Sequence, residues 1–228
     1  MSLIVYGVPL SPYVRKLRLC LAEKQLDYQL VIVLPFDQPA WFKKLNPLGR
    51  IPAMKDGDLT LADSSVICQY LEDKYCQLTP LLGQTADQHA KVRWLEKYAD
   101  YELAPLVTFT LFQQRIINPS MGHLCDEPSV MSALNEKLPI HFDYLEHTLG
   151  NAKFFVADTL SLADLAFASQ MVNMEHAGEQ LDAQRWPNLS ALYTRLKARA
   201  SMADLLQGEQ KILSSLKKAT SKQASFEI

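Results

Sequence analysis

A serine followed by a proline, Ser11-Pro12, closes an apolar run and opens a stretch with helical periodicity. Serine is favoured at a helix N-cap and proline at the first helical position, so capping alone accounts for the pair. The same placement also puts a hydroxyl at the positive end of a helix, where it can donate a hydrogen bond to a bound thiolate. A free thiol has a pKa of ~8.5, and a helix N-terminus with a donor lowers it. Each unit of lowering needs ~1.4 kcal/mol of preference for the anion. Beyond capping, the chemistry open to Ser11 is thiolate stabilisation.

Two further places belong with it. Arg50-Ile51-Pro52 follows the turn cluster Asn46-Pro47-Leu48-Gly49. A cis bond before Pro52 would free the N–H and C=O of Ile51 to pair with another backbone, whereas a trans proline would simply begin an edge strand. At Asp63-Ser64 a helix begins. Asp63 can cap it, or pair with an ammonium group while the Ser64 N–H and hydroxyl bind a carboxylate. Together the three places would recognise a thiol, a peptide backbone and the α-centre of a free amino acid. Glutathione presents those three groups.

The elements that must position these residues alternate at first. Leu3 to Tyr6 reads as a buried strand, Pro12 to Lys24 as a helix with Val14, Leu17 and Leu21 on one face and basic residues on the other. Tyr28 to Leu34 is β-rich and Ala40 to Leu45 a short helix. Ile51 to Lys55 and Leu59 to Ala62 flank the hairpin signal Asp56-Gly57-Asp58, and Asp63 opens a helix through Tyr75. The order β-α-β-α-β-β-α predicts an α/β thioredoxin-like domain with a mixed four-stranded sheet over residues 1–76. Residues 77–85, with Pro80 and Gly83, read as a linker. Residues 86–228 read as an all-helical domain, with helices over Ala86 to Ile116, Ser129 to Gly150, Ser161 to Glu175 and Asn188 to Lys218, the last broken near Ser201. Ser161…Asp164 and Ser201…Asp204 resemble capping boxes, and Pro187 a helix start. Beyond Lys218 the chain is expected to be loosely ordered.

At 228 residues with a formal net charge of −2, the chain offers no electrostatic case for nucleic acid or an anionic membrane. No apolar run approaches membrane-spanning length, and the N-terminus has no secretory pattern. Cys20, Cys68, Cys76 and Cys125 make neither a Cys-x-x-Cys pair nor a metal-ligand spacing with histidine. They read as reduced thiols of a cytoplasmic protein.

From Leu3 to Leu216 the chain resembles a cytosolic glutathione transferase of the serine type. The resemblance is carried by Ser11-Pro12-Tyr13-Val14-Arg15, by Asn46-Pro47-Leu48-Gly49-Arg50-Ile51-Pro52, by Leu61-Ala62-Asp63-Ser64 with Ile67 and Tyr70-Leu71, and by Ala157-Asp158-Thr159-Leu160-Ser161-Leu162-Ala163-Asp164. It implies glutathione as cosubstrate, held by Ile51, Asp63 and Ser64, a cis Pro52, and Ser11 activating the thiol. It further implies a two-fold homodimer and an apolar pocket for a small electrophile. Arg50 would lie near the glycyl carboxylate, and Gln38 takes roughly the place of a frequent lysine ligand. Asp100 resembles an acid that reaches the partner subunit's glutathione, or is a solvated helix-face carboxylate. Tyr13, Tyr101, Pro105 and Thr108 would line the electrophile pocket, or be plain core.

Two departures bear on chemistry. Omega-type members carry cysteine where this chain has Ser11, which disfavours mixed-disulfide chemistry. Tyrosine-type members place a hydroxyl near the end of the first strand, which makes Tyr6 a competitor, though Ser11 fits the serine register. Stringent starvation proteins, which bind RNA polymerase, share Leu21-Ala22-Glu23-Lys24 and Asp63-Ser64 but lack the Ser-Pro pair. A regulatory binding module and a glutathione-dependent isomerase or peroxidase are therefore the rival expectations.

Overall fold

The computed structural model describes residues 3–224, with side chains through Leu216. The chain opens with β1 (Leu3–Gly7), α1 (Pro12–Glu23), β2 (Tyr28–Ile32), α2 (Phe42–Leu45), β3 (Ala53–Asp56), β4 (Leu59–Ala62) and α3 (Ser64–Lys74). The sheet order is β2-β1-β3-β4, with β2 parallel to β1 and the β3–β4 hairpin antiparallel. This is the expected mixed sheet. β3 begins at Ala53 rather than Ile51, because Pro52 has no N–H to give to the ladder. The hairpin turns on Gly57, which takes a φ of 61°.

Strand alternation sorts β1 between two cores. Leu3 and Val5 face α1 and α3, while Tyr6 packs with Val33, Phe42 and Ala53 under α2. Gly7 is needed for close approach: a Cβ there would sit 2.5 Å from Val14 Cγ2 and 3.4 Å from Ile51 Cβ. The missing side chain lets α1 and the loop before Pro52 close over the end of β1.

After an irregular stretch the rest is helical: α4 (residues 86–120), α5 (residues 127–149), α6 (Leu162–His176), α7 (Pro187–Lys197) and α8 (Ala200–Ala224). The wide, i→i+5 bonded turns Ala99–Leu103 and Val107–Ile117 interrupt α4. Helix α6 is buried almost all round and forms the axis of this half. Pro187 occupies the first position of α7 as expected. At Ser161 the box forms: its N–H and hydroxyl donate to Asp164 Oδ2 at 2.8 and 2.7 Å, and the Phe155 N–H donates to Oδ1 at 3.0 Å. Ser201 does not act as a cap. It lies inside the first turn of α8 and gives its hydroxyl to Glu23. Helix α8 also runs past Lys218 to Ala224, where loose order was expected; residues 225–228 lie outside the described residues.

The basic face of α1 is not solvated. Helices α6 and α8 pack on α1, and Arg15 and Lys16 are fully buried with carboxylate partners. Lys24, near the helix end, is buried against Glu72 and the Thr79 carbonyl.

Candidate functional site

The register of the sheet gathers the three motifs. Tyr6 pairs with Ala53, and Ala53 with Ala62, so the three chains leave the sheet side by side. Adjacent strands lie ~4.8 Å apart. The loop to Ser11, the Ile51-Pro52 bond and Asp63 are thereby brought to one edge.

At α1 Ser11 is the helix cap that the sequence predicts. Its backbone is extended, and its Oγ accepts a 3.4 Å hydrogen bond from the Val14 N–H. A hydroxyl that accepts at a cap still has its own proton to donate. Ser11 is half-buried and stands at the positive end of a twelve-residue helix. Tyr6, its competitor, turns to the opposite face of the sheet, its ring 5.7 Å from Trp41 and 6.3 Å from Phe42.

The Ile51–Pro52 peptide is cis. Among the described residues, the Ile51 N–H and C=O have no hydrogen-bond partner. The loop before it is braced internally. Asn46 Nδ2 donates to the Arg50 carbonyl at 2.7 Å, and Asn46 Oδ1 accepts from the Leu48 N–H. Gln38 Nε2 donates to the carbonyls of Gly49 (2.5 Å) and Leu34 (3.1 Å), so this amide holds the loop rather than standing free for a ligand. Gly49 has a φ of 63°, and a Cβ there would come within 2.7 Å of Gln38 Oε1. The Arg50 side chain is exposed and has no partner among the described residues.

Asp63 caps α3 through one oxygen: Oδ1 accepts from the N–H groups of Ser65 (2.9 Å) and Val66 (3.2 Å). Among the described residues its other oxygen has no hydrogen-bond partner. The residue holds φ 74°, ψ 123°, a conformation that costs a non-glycine residue ~1–3 kcal/mol and that clusters at ligand clamps. Ser64 follows at the first helical position, buried, its hydroxyl without a hydrogen-bond partner among the described residues.

Behind this end of α3 lies a charged cluster. Lys16 Nζ contacts Asp100 Oδ2 at 2.5 Å, Glu96 Oε1 at 2.8 Å and Ser65 Oγ at 3.2 Å. Asp100 is thus neither solvated nor free. Burial, with Glu96 adding to it, raises its carboxyl pKa against the pull of Lys16. Burial opposes the charge on Lys16, but Asp100 and Glu96 outweigh it and hold the ammonium protonated. Lys97, which the sequence reading missed, donates to Ser65 Oγ at 2.9 Å and lies 5.1 Å over the Tyr101 ring. Its spacing from Asp100 and Tyr101, i+3 and i+4 on one helix, was the available signal.

Tyr13 donates to the Asp100 carbonyl at 3.2 Å, and burial together with the Asp100 charge pushes its phenol up to about 12. Its ring is 6.4 Å from that of Phe109. Tyr101, Pro105 and Phe109 are exposed at i, i+4 and i+8 along α4, making one apolar face beside Tyr13. Phe109 is the second residue missed. Thr108 is not on this face. It is buried, donates to Gln170 Oε1 at 2.7 Å, and accepts from Asn173 Nδ2 at 3.1 Å. The wide turn of α4 directs it into the polar core against α6.

Comparison with known proteins identifies the family. Residues 5–78 match the family model described as glutathione S-transferase, N-terminal domain, and residues 123–209 match its C-terminal domain. Glutathione S-transferase 3 of Zea mays is 35% identical over 70% of this chain and 72% of its own. Glutathione S-transferase F13 of Arabidopsis thaliana is 29% identical over 91% of this chain and 96% of its own. Among solved structures, a glutathione S-transferase from Rhodospirillum rubrum superposes with a TM-score of 0.82 at 29% identity, covering 90% of this chain and 92% of that one. Two family models that together span most of the chain, and a relative 35% identical over 70% of it, decide the matter: this chain belongs to the glutathione S-transferases.

Proposed function

We propose that the chain is a glutathione transferase that binds glutathione along the edge formed by α1, the Ile51-Pro52 loop and α3. The γ-glutamyl ammonium meets the other oxygen of Asp63, and its carboxylate meets Ser64 with Lys97 behind it. The cysteinyl backbone pairs with Ile51 in the antiparallel manner. Arg50 supplies charge toward the glycyl end. Ser11 donates to the thiolate. The observation that carries this reading is the Ser11 hydroxyl, held at the helix N-terminus by a bond it accepts and with no acceptor for its own proton among the described residues.

The step that follows is nucleophilic attack by the glutathione sulfur. At an electrophilic carbon the S–C bond forms as the leaving group departs with its electron pair; at a peroxide the S–O bond forms as the O–O bond breaks. Binding supplies orientation, and the hydroxyl supplies charge stabilisation. The substrate side is the apolar face of Tyr13, Tyr101, Pro105 and Phe109. A transferase acting on small apolar electrophiles in detoxification fits this face.

A homodimer is part of the same proposal. Trp94 and Tyr98 on α4 with Ile140, His141 and Tyr144 on α5 form an aromatic patch. In it Trp94 Nε1 donates to Tyr144 Oη at 2.9 Å, while Ile140 is 68% exposed. Leu48 gives a second apolar projection, 72% exposed. Exposed apolar groups of this kind mark association surfaces. A cytoplasmic place is supported by four free thiols at Cys20, Cys68, Cys76 and Cys125.

Glutathione binding by calorimetry, beside a thiolate absorbance titration of the complex, tests the reading. Binding with a thiol pKa well below that of free glutathione is expected. No binding would overturn it in favour of a fold kept for contacts with another macromolecule.

A further inference from the structure

Arg15 lies one turn beyond Ser11, and its N–H donates to the Ser11 carbonyl at 2.8 Å. Its guanidinium is gripped from outside its own helix. Nε and Nη2 donate to Glu209 Oε1 and Oε2 at 2.8 and 2.6 Å, and Nη1 donates to the Ser169 carbonyl of α6 at 2.7 Å. Glu209, on α8, also meets His176 Nε2 at 2.9 Å, so it too is held from a third side. Arg15 and Glu209 are both fully buried. A buried ion pair of this kind is a poor stability device, since an apolar pair of the same volume does as well or better. What the planar fork supplies is geometry: two parallel bonds fix both the distance and the rotation of one helix against another.

We infer that Glu209 is a positioning residue for Ser11: its fork on Arg15 sets where the first turn of α1 holds the hydroxyl. Helix α8 contributes to the reaction without touching glutathione. A slide or roll of α1 along the sheet would carry Ser11 with it, and the Arg15 grip on α8 and α6 opposes both motions. The inference rests on the reading of Ser11 proposed above.

The test uses the full chain and three variants, Glu209→Gln, Arg15→Lys and Glu209→Asp. The thiol pKa of bound glutathione is titrated, and kcat and KM are measured with a chloronitrobenzene as electrophile. Glu209→Gln loses half of the fork and is expected to move the thiol pKa toward that of free glutathione. It should lower kcat at neutral pH by ~10- to 100-fold, the scale of a small misplacement of a reacting group. The KM for glutathione should stay within about twofold, because the binding groups at Ile51 and Asp63 are untouched. Arg15→Lys keeps the charge and loses the fork, and should behave alike; it decides the matter if the glutamine variant does not fold. Glu209→Asp, which keeps a two-oxygen acceptor, should recover part of the rate. Variants that melt earlier but keep the wild-type thiol pKa and kcat would overturn the inference and leave the pair as a staple. A wild-type complex whose thiol titrates as in free glutathione would instead remove the role of Ser11, and the positioning role with it.

Discussion

Lys16 Nζ stands 2.5 Å from Asp100 Oδ2 and shares its charge with Glu96 at 2.8 Å, so one buried cation serves two buried carboxylates. Removing the cation strands both. Lys16→Met should destabilise the fold by ~3–5 kcal/mol, the cost of leaving a buried charge uncompensated. Asp100→Asn should cost clearly less, because Glu96 remains on Lys16. Urea unfolding of the two variants checks the order, and equal losses would mean that Glu96 carries none of the charge.

Ser11→Ala should leave glutathione affinity nearly intact while lowering turnover at neutral pH by ~10- to 100-fold, the worth of one hydrogen bond to a charged group at ~1.5–3 kcal/mol. Loss of the cap adds ~1 kcal/mol of destabilisation. Tyr6→Phe should leave turnover unchanged, since that ring packs against Trp41 and Phe42 on the other face of the sheet. Steady-state kinetics of both variants decides between the two hydroxyls; the reverse pattern would assign the thiolate to Tyr6.

Gly49→Ala places a Cβ against Gln38 Oε1 at a backbone φ of 63°. It should cost ~1 kcal/mol or more in stability and raise the KM for glutathione, because the loop carrying Ile51 shifts. Gln38→Ala should have the milder effect, releasing the brace without strain. A KM that moves only in the Gln38 variant would show that the amide contacts the ligand directly.

Burial pushes the Asp164 carboxyl up to about 6, against the hydrogen bonds from Phe155 and Ser161. Its value in the unfolded chain is ~3.9. A raised folded pKa means the folded state binds the proton more tightly. This contribution to stability is complete below about pH 4 and is lost as pH rises through about 6. The stability of wild type relative to Asp164→Asn should therefore fall between pH 4 and 7, by up to ~3 kcal/mol. Chemical denaturation at both ends of that window measures it, and a difference flat with pH would show that the three donors hold the carboxylate ionised throughout.

Ile140→Glu places a charge in the aromatic patch of α4 and α5. Sedimentation should show the wild type as a dimer and the variant shifted to monomer. A variant that remains dimeric would move the interface elsewhere.

Much of the first half was legible along the chain because its signals are local. Turn residues at Gly57, a strand period of two and a Ser-Pro helix start name their own elements, and the family motifs fall on them. The helical half was legible as helices but not in its details. Within the widened turns of α4, Thr108 points inward to Gln170 of α6 while Phe109 stays out beside Tyr13. Periodicity at 3.6 residues cannot report a local change of period.

The sequence alone determined which groups the edge offers: a serine at a helix start, an Ile-Pro step after a turn, and an acid and a serine opening a third helix. Only the tertiary structure decided what surrounds them. In the sequence the basic residues simply fill the face of α1 opposite Val14, Leu17 and Leu21, because a charge pattern does not reveal what packs against it. The helical half covers that face, and each cation then needs a carboxylate from elsewhere: Glu209, Glu96 with Asp100, and Glu72. Glu209 lies 194 residues from Arg15 along the chain, and Glu96 and Asp100 lie 80 and 84 residues from Lys16. Desolvation makes such pairing obligatory once the charge is buried, but nothing short of the folded chain says which carboxylate will meet it.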